Sequence, residues 1–279
     1  MSESEKSYMS SSSLVLGLSP ILLSSIGPTV SEIGLLSLRR PILSLLLTFG
    51  TVGVYPSRIL SYMEDSALDI IAEPTTLAVF LNKTLVHDTI RRRATAISVA
   101  QYVMVALAVF NVTYTSWQLG VATVLNFVCQ SSFMPLIWTT LPVFIHLPAA
   151  LALRANKKAP AAVSTSSEPA RAMNGSKSLV WSSLTSEVAL YALREEPLDL
   201  DALRPTPRLI FWHWVATVFS FVHVLVGIII FSSLLLTMTT DAAIILLRYA
   251  ASALACRLII VFELAGFRWS RARRRNVNG

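Results

Sequence analysis

Ala94 to Leu153, ATAISVAQYVMVALAVFNVTYTSWQLGVATVLNFVCQSSFMPLIWTTLPVFIHLPAALAL, runs 60 residues without one Asp, Glu, Lys or Arg. Arg91-Arg92-Arg93 stands before it, and Arg154, Lys157 and Lys158 follow. A helix rises about 1.5 Å per residue, so about 20 apolar residues cross the hydrocarbon core of a bilayer. The stretch therefore holds two crossings and a turn. Asn111 to Trp117 (NVTYTSW) is its only polar cluster and is predicted to be that turn, with spans near Thr95 to Phe110 and Gln118 to Thr140. Length alone admits three crossings, but no second polar turn exists. Pro142 and Pro148 read as a break followed by an interfacial segment.

Leu209 to Thr240 is a second uncharged run, of 32 residues, and Asp241 then opens another apolar run that ends near Phe267. These read as two more spans. Leu209 to Thr237 exceeds the thickness of the hydrocarbon, which calls for tilt or a protruding end. A hydrophobic content of 54% with only 14% charged residues lies outside the ordinary soluble range. The fold class is thus an all-α, polytopic integral membrane helix bundle with four spans and a fifth, N-terminal one.

Residues 1–56 hold N-terminal apolar segments, 57–93 cytoplasmic amphipathic helices, 94–153 a transmembrane hairpin, 154–208 a cytoplasmic linker with an amphipathic helix, 209–267 a second hairpin, and 268–279 a basic tail. Of the 23 basic residues, 18 fall in the segments flanking the hairpins on one side, and the two predicted turns, Asn111 to Trp117 and Met238 to Asp241, contain none. By the positive-inside rule the crowded side is cytoplasmic, with the C-terminus there. The net charge of +7 is then a property of the membrane surface, and the tail RARRRN is suited to anionic lipid at about 1 kcal/mol per basic residue. No basic stripe with interleaved aromatics argues for nucleic acid. The tail also fits an arginine-based retention signal, which favours the endoplasmic reticulum. Trp117, Trp212, Trp214 and Trp269 fall at predicted span ends.

Near the N-terminus, Leu14 to Leu38 is apolar but interrupted by Pro20 and Gly27-Pro28, so it is either a kinked span or two short interfacial helices. Arg39-Arg40 marks its cytoplasmic end if it spans. Pro41 to Tyr55 is short for a crossing and suits a re-entrant or surface helix. Ile59 to Ile71 and Val180 to Tyr191 carry apolar stripes at helical spacing, which either lie on the bilayer or pack on the bundle. The Ala-, Ser-, Pro- and Lys-rich stretch from Ala155 to Ser178 has the composition of a linker. No internal repeat is visible, which weighs against inverted-repeat transporters.

Chemistry is expected where an ionisable group sits in hydrocarbon at a cost. The last span carries Arg248, Arg257 and Glu263 after Asp241. Its two arginines cost about 5 to 7 kcal/mol together at a helix centre, so the helix needs partners. At 100° per residue Arg248 and Glu263 share a side and Arg257 lies opposite. Asp241, Arg248, Arg257 and Glu263 are the candidate catalytic residues if the chain is an enzyme, with Glu263 or Asp241 as proton donor or cation stabiliser. Otherwise the arginines snorkel or bond backbone carbonyls, and Glu263 sits near the interface beside Arg268. Glu32 completes a capping box, Thr29-Val30-Ser31-Glu32 after Pro28. His213 and His223 are ten residues apart, about 80° off a common face. They and His146 read as bundle histidines, and neither a metal nor a cofactor is expected. Cys129 and Cys256 both lie in spans, so no disulfide framework is expected. Sequons occur at Asn82, Asn111 and Asn174, facing the cytoplasm or the membrane, and none is expected to be glycosylated.

The segment GPTVSEIGLLSLRRPILSLLLTFG, Gly27 to Gly50, resembles the N-terminal part of uncharacterised multi-pass membrane proteins of filamentous fungi; the resemblance implies no activity. The chain carries neither the aspartate-rich diphosphate motifs of membrane prenyltransferases nor a histidine box. Two functions remain. One is a non-enzymatic scaffold or accessory subunit with membrane-protein partners. The other is a membrane-embedded enzyme on an apolar substrate, of the isoprenoid cyclase or isomerase type.

Overall fold

The computed structural model describes residues 3–55, 94–125, 133–158, 206–235 and 238–278. The amphipathic stretches at 59–71 and 180–191, the linker beyond Lys158, Cys129, and the sequons at Asn82 and Asn174 lie outside the described residues. Among those described, the chain forms α1 (Glu3–Ile26), α2 (Val30–Ser37), α3 (Pro41–Gly50), α4 (Ala94–Ala122), β1 (Val124–Leu125), α5 (Met134–Lys158), α6 (Pro207–Ser232), β2 (Leu234–Leu235) and α7 (Thr239–Asn278).

The architecture is an all-α membrane bundle. Thr95–Ala122, Met134–Arg154, Pro207–Ser232 and Thr239–Leu264 supply 28, 21, 26 and 26 residues, each enough to cross hydrocarbon. Ser10–Ile26 and Val30–Ser37 pass the same test as a pair bent by 49°, a fifth crossing when taken as one broken span. Gly27-Pro28 makes the break, because Pro28 has no N–H to continue α1 and Thr29 then caps α2. Pro20, by contrast, is accommodated inside α1.

The helices form a ring. α1 lies between α6 and α7, α4 packs on α7, α5 packs on α6, and α4 meets α5. The short α2 and α3 fill the space against α4, α5 and α7, with Leu35, Leu36, Leu43 and Leu47 in the core beside Val105 and Ile260. Pro41 to Tyr55 is therefore a ten-residue bundle helix with a turn after it, and its Leu43 and Leu47 are fully buried. Phe110, Phe144 and Leu247 point outward at 68%, 70% and 69% exposure, the apolar belt that meets lipid. β1 pairs antiparallel with β2, Val124 opposite Leu235, so the connections of both hairpins sit at one end.

Two expectations about the hairpins are corrected. Asn111 to Trp117 is not a turn, because α4 continues through it to Ala122. Two of its polar residues face α7: Asn111 donates to the Arg248 carbonyl at 2.9 Å and to Ser252 Oγ at 2.8 Å, and Ser116 Oγ lies 2.9 Å from the Tyr249 hydroxyl. Likewise Pro142 and Pro148 do not break the second span; both lie inside α5. Pro142 deprives the Trp138 carbonyl of its helical donor, and His223 Nε2, 3.0 Å away on α6, donates in its place.

Candidate functional site

α2 ends at Ser37, and three residues later the chain enters α3, with Pro41 in its first turn and Arg40 as its N-cap. That connection aims Arg40 inward, between α4 and α7. The side chain is fully buried, and so is that of Glu263. Arg40 Nη1 donates to Glu263 Oε1 at 2.6 Å and to Gln101 Oε1 at 2.7 Å, and Nη2 donates to Ser98 Oγ at 2.7 Å. Gln101 Nε2 donates in turn to Glu263 Oε1 at 2.8 Å. The guanidinium also lies 5.3 Å from the centre of the Tyr102 ring. One cation, one anion, an amide and a hydroxyl thus bond one another in the core, while the buried Arg40 Nε has no partner among the described residues.

A second ion pair lies on the other side of α7. Arg257 Nη1 is 2.5 Å from Glu32 Oε2, and the pair is partly open, at 31% and 10% side-chain exposure. The same Glu32 oxygen accepts the Thr29 N–H at 2.9 Å, while Thr29 Oγ1 accepts the Glu32 N–H at 3.2 Å. The capping box and the ion pair therefore share one carboxylate. Arg154 closes the other end of α2, donating to the Ser37 carbonyl from Nε at 3.1 Å and Nη2 at 2.7 Å.

The four candidate catalytic residues are not brought together. Glu263 is buried inside the bundle, paired with Arg40, one residue from the end of the Thr239–Leu264 span. Arg257 reaches back to α2 rather than snorkelling. Arg248 is exposed and donates to Gln118 Oε1 on α4 at 3.3 Å. Asp241 is exposed in the first turn of α7, where a carboxylate favours the positive end of the helix. Of Arg39-Arg40, Arg40 turns into the core. The position of Arg40, Gln101 and Ser98 escapes sequence reasoning; the only signal is an arginine between two apolar runs, held by Pro41.

A second polar group lies between α5 and α6. Trp138 Nε1 donates to the His223 carbonyl at 2.9 Å, and the two rings stack at 4.8 Å, 4° from parallel. Phe231 meets Trp138 edge-on at 4.9 Å and links it to Tyr249 of α7. His213 Nε2 lies 3.3 Å from Ser31 Oγ. His146 is buried, and neither of its ring nitrogens has a hydrogen-bond partner among the described residues. Among the described residues no three His, Cys, Asp or Glu side chains lie close enough to hold a metal ion.

Two grooves open on the flanks of α5. One, of about 450 Å³, lies against α6 and includes His223; the other, of about 220 Å³, lies against α2 and α3 and includes His146 and Arg154. Asp241, Arg248, Arg257 and Glu263 line neither. Set against known families, curated proteins and solved structures, the chain matches none.

Proposed function

We propose that this chain is a non-enzymatic multi-pass membrane protein, a scaffold or accessory subunit for membrane-protein partners. One observation carries the reading: Arg248, Arg257 and Glu263 of the last span bond other helices, and among the described residues none of them lines either groove beside α5. Glu263, the strongest candidate acid, accepts from Arg40 and Gln101 through one oxygen and lines neither groove. An isoprenoid cyclase or isomerase would need that carboxyl against its substrate. The shared end of both hairpin connections, together with 18 cations in segments flanking the opposite end, supports a cytoplasmic C-terminus. The arginine-rich tail supports residence in the endoplasmic reticulum and contact with anionic lipid.

The test compares cells with the intact chain, without it, and with Arg40→Met/Glu263→Gln, which removes the acid and its buried partner together. A lipid or growth phenotype of chain loss that the double variant rescues is expected. A phenotype that the intact chain rescues and a folded, correctly localised double variant does not would make Glu263 part of a catalytic site and overturn the scaffold reading.

A further inference from the structure

The smaller groove, of about 220 Å³, runs along α5 against the end of α2 and the outer side of α3. On α5 it extends from Val143 to Arg154, about 16 Å along the helix axis. That is the depth of one leaflet where the hydrocarbon is about 30 Å thick. Arg154 ends the span that begins at Met134, so it stands at the end of the bundle opposite the β1–β2 pairing. Ile42, Leu45, Leu147 and Leu151 line the groove and are 40% to 54% exposed, which leaves it open along its side to lipid.

One end of the groove is charged. Arg154 Nε and Nη2 both donate to the carbonyl of Ser37, another lining residue, which holds the guanidinium across the end of α2. A guanidinium has five N–H donors, so three remain. Nη1 makes no bond among the described residues and is not one of the enclosed nitrogens, so its hydrogens are accessible. Neither ion pair of the described residues includes Arg154. α5 carries no acid, and the one acid of α2 and α3, Glu32, is held by Arg257. The other polar side chains of the groove are spent or closed off: Ser37, Ser44 and Thr48 donate to carbonyls of their own segments, and the His146 nitrogens are enclosed.

We propose that this groove seats an anionic phospholipid, its phosphate on Arg154 and one acyl chain along the apolar walls between α3 and α5. The charge and the length point to the same occupant. An arginine without an acid takes phosphate oxygens through its remaining N–H groups. A chain that starts at that depth runs one leaflet inward, as the groove does. A sterol brings no anion, a free phosphate leaves the apolar walls uncovered, and phosphatidylcholine carries its own cation against its phosphate. The site is separate from the basic tail, and the inference does not depend on the scaffold reading.

The experiment uses the full chain in phosphatidylcholine vesicles that contain photoreactive phosphatidic acid or, separately, photoreactive phosphatidylcholine with the same acyl chains. Phosphatidic acid is expected to label peptides covering residues 42–48 and 143–151 about fivefold more than phosphatidylcholine, the effect of one basic residue at an anionic surface. Arg154→Gln removes the charge and should abolish that preference, and Arg154→Lys should keep it. Replacing Arg271, Arg273, Arg274 and Arg275 by Gln should leave it intact. An internal control is residues 215–226 of α6, which also meet lipid through Phe219 and Phe221 but carry no cation. Equal labelling of the groove by the two probes overturns the proposal. So does a preference that is as large at residues 215–226, that survives Arg154→Gln, or that vanishes with the tail arginines. The intact chain and the tail variant decide the matter even where Arg154→Gln does not fold.

Discussion

Glu263→Gln should be among the most damaging single substitutions in this chain, and Arg40→Met should relieve it. The ion pair is 2.6 Å long with both side chains fully buried. Removing one partner of such a pair leaves an uncompensated charge and costs about 3 to 5 kcal/mol. At about 2 to 4 °C per kcal/mol for a chain of this size class, that lowers the unfolding midpoint by roughly 6 to 20 °C. The introduced glutamine would still accept from Arg40 and pair with Gln101, so the loss is one of charge rather than shape. In Arg40→Met/Glu263→Gln no charge remains, the amide contact with Gln101 is kept, and apolar replacement of a buried pair is often neutral or stabilising. The double variant should therefore unfold above either single variant. The assay is thermal unfolding of the purified chain in lipid nanodiscs, followed by size-exclusion fluorescence for the intact chain, both single variants and the double. If the double variant loses the sum of the two single losses, to within about 0.5 kcal/mol, the two residues act independently and the coupling argued from their geometry fails.

Glu32→Gln should cost less than half as much as Glu263→Gln in the same assay, because the Arg257–Glu32 pair is partly open and a glutamine can still accept the Thr29 N–H. Gly227→Ala should lose about 1 to 3 kcal/mol, since a Cβ there would lie 2.5 Å from Trp138 Nε1 and 2.9 Å from Pro20 Cβ; an unchanged midpoint would mean that α1, α5 and α6 are not in close contact at this point. His223→Phe should cost about 1 to 3 kcal/mol by leaving the Trp138 carbonyl without a donor, and the cost should shrink in a Pro142→Ala background, where the helical N–H returns. Equal costs in both backgrounds would remove Pro142 from the explanation. Asn111→Ala should cost about 0.5 to 1.5 kcal/mol, the scale of a hydrogen bond between membrane helices, and the intact chain should show no endoglycosidase-sensitive glycan at Asn111.

The membrane-spanning class of the fold is legible in the sequence because it depends on local quantities: apolar length, absence of charge and caps. The Thr29–Glu32 capping box is local too, and it stands where the sequence puts it. The turn expected in the first hairpin fails for a physical reason. Asn111 and Ser116 look like part of a turn when counted along the chain, but within a bundle they and Gln118 are the α4 side of a polar seam with Ser252, Tyr249 and Arg248. The prolines of α5 mislead for the complementary reason, as an orphaned carbonyl breaks a helix only if nothing else can donate to it, and His223 does. That α7 needs partners follows from its own arginines. That the partners are Arg40 and Glu32 does not, because they lie 223 and 225 residues away and no periodicity reaches so far.

These long-range bonds bear on how the bundle closes. α7 is the last span, and its apolar residues barely offset its two arginines. Glu32 and Arg40 precede their ion-pair partners, Arg257 and Glu263, by more than 200 residues, so neither ion pair can form before α7 is in place. α1 sits between α6 and α7, so the first helix reaches its final neighbours only after the last two are in place. Three polar ties then fasten α7 to α2, to the start of α3 and to α4, whereas α5 and α6 are tied by the reciprocal pair Trp138 Nε1 to His223 O and His223 Nε2 to Trp138 O.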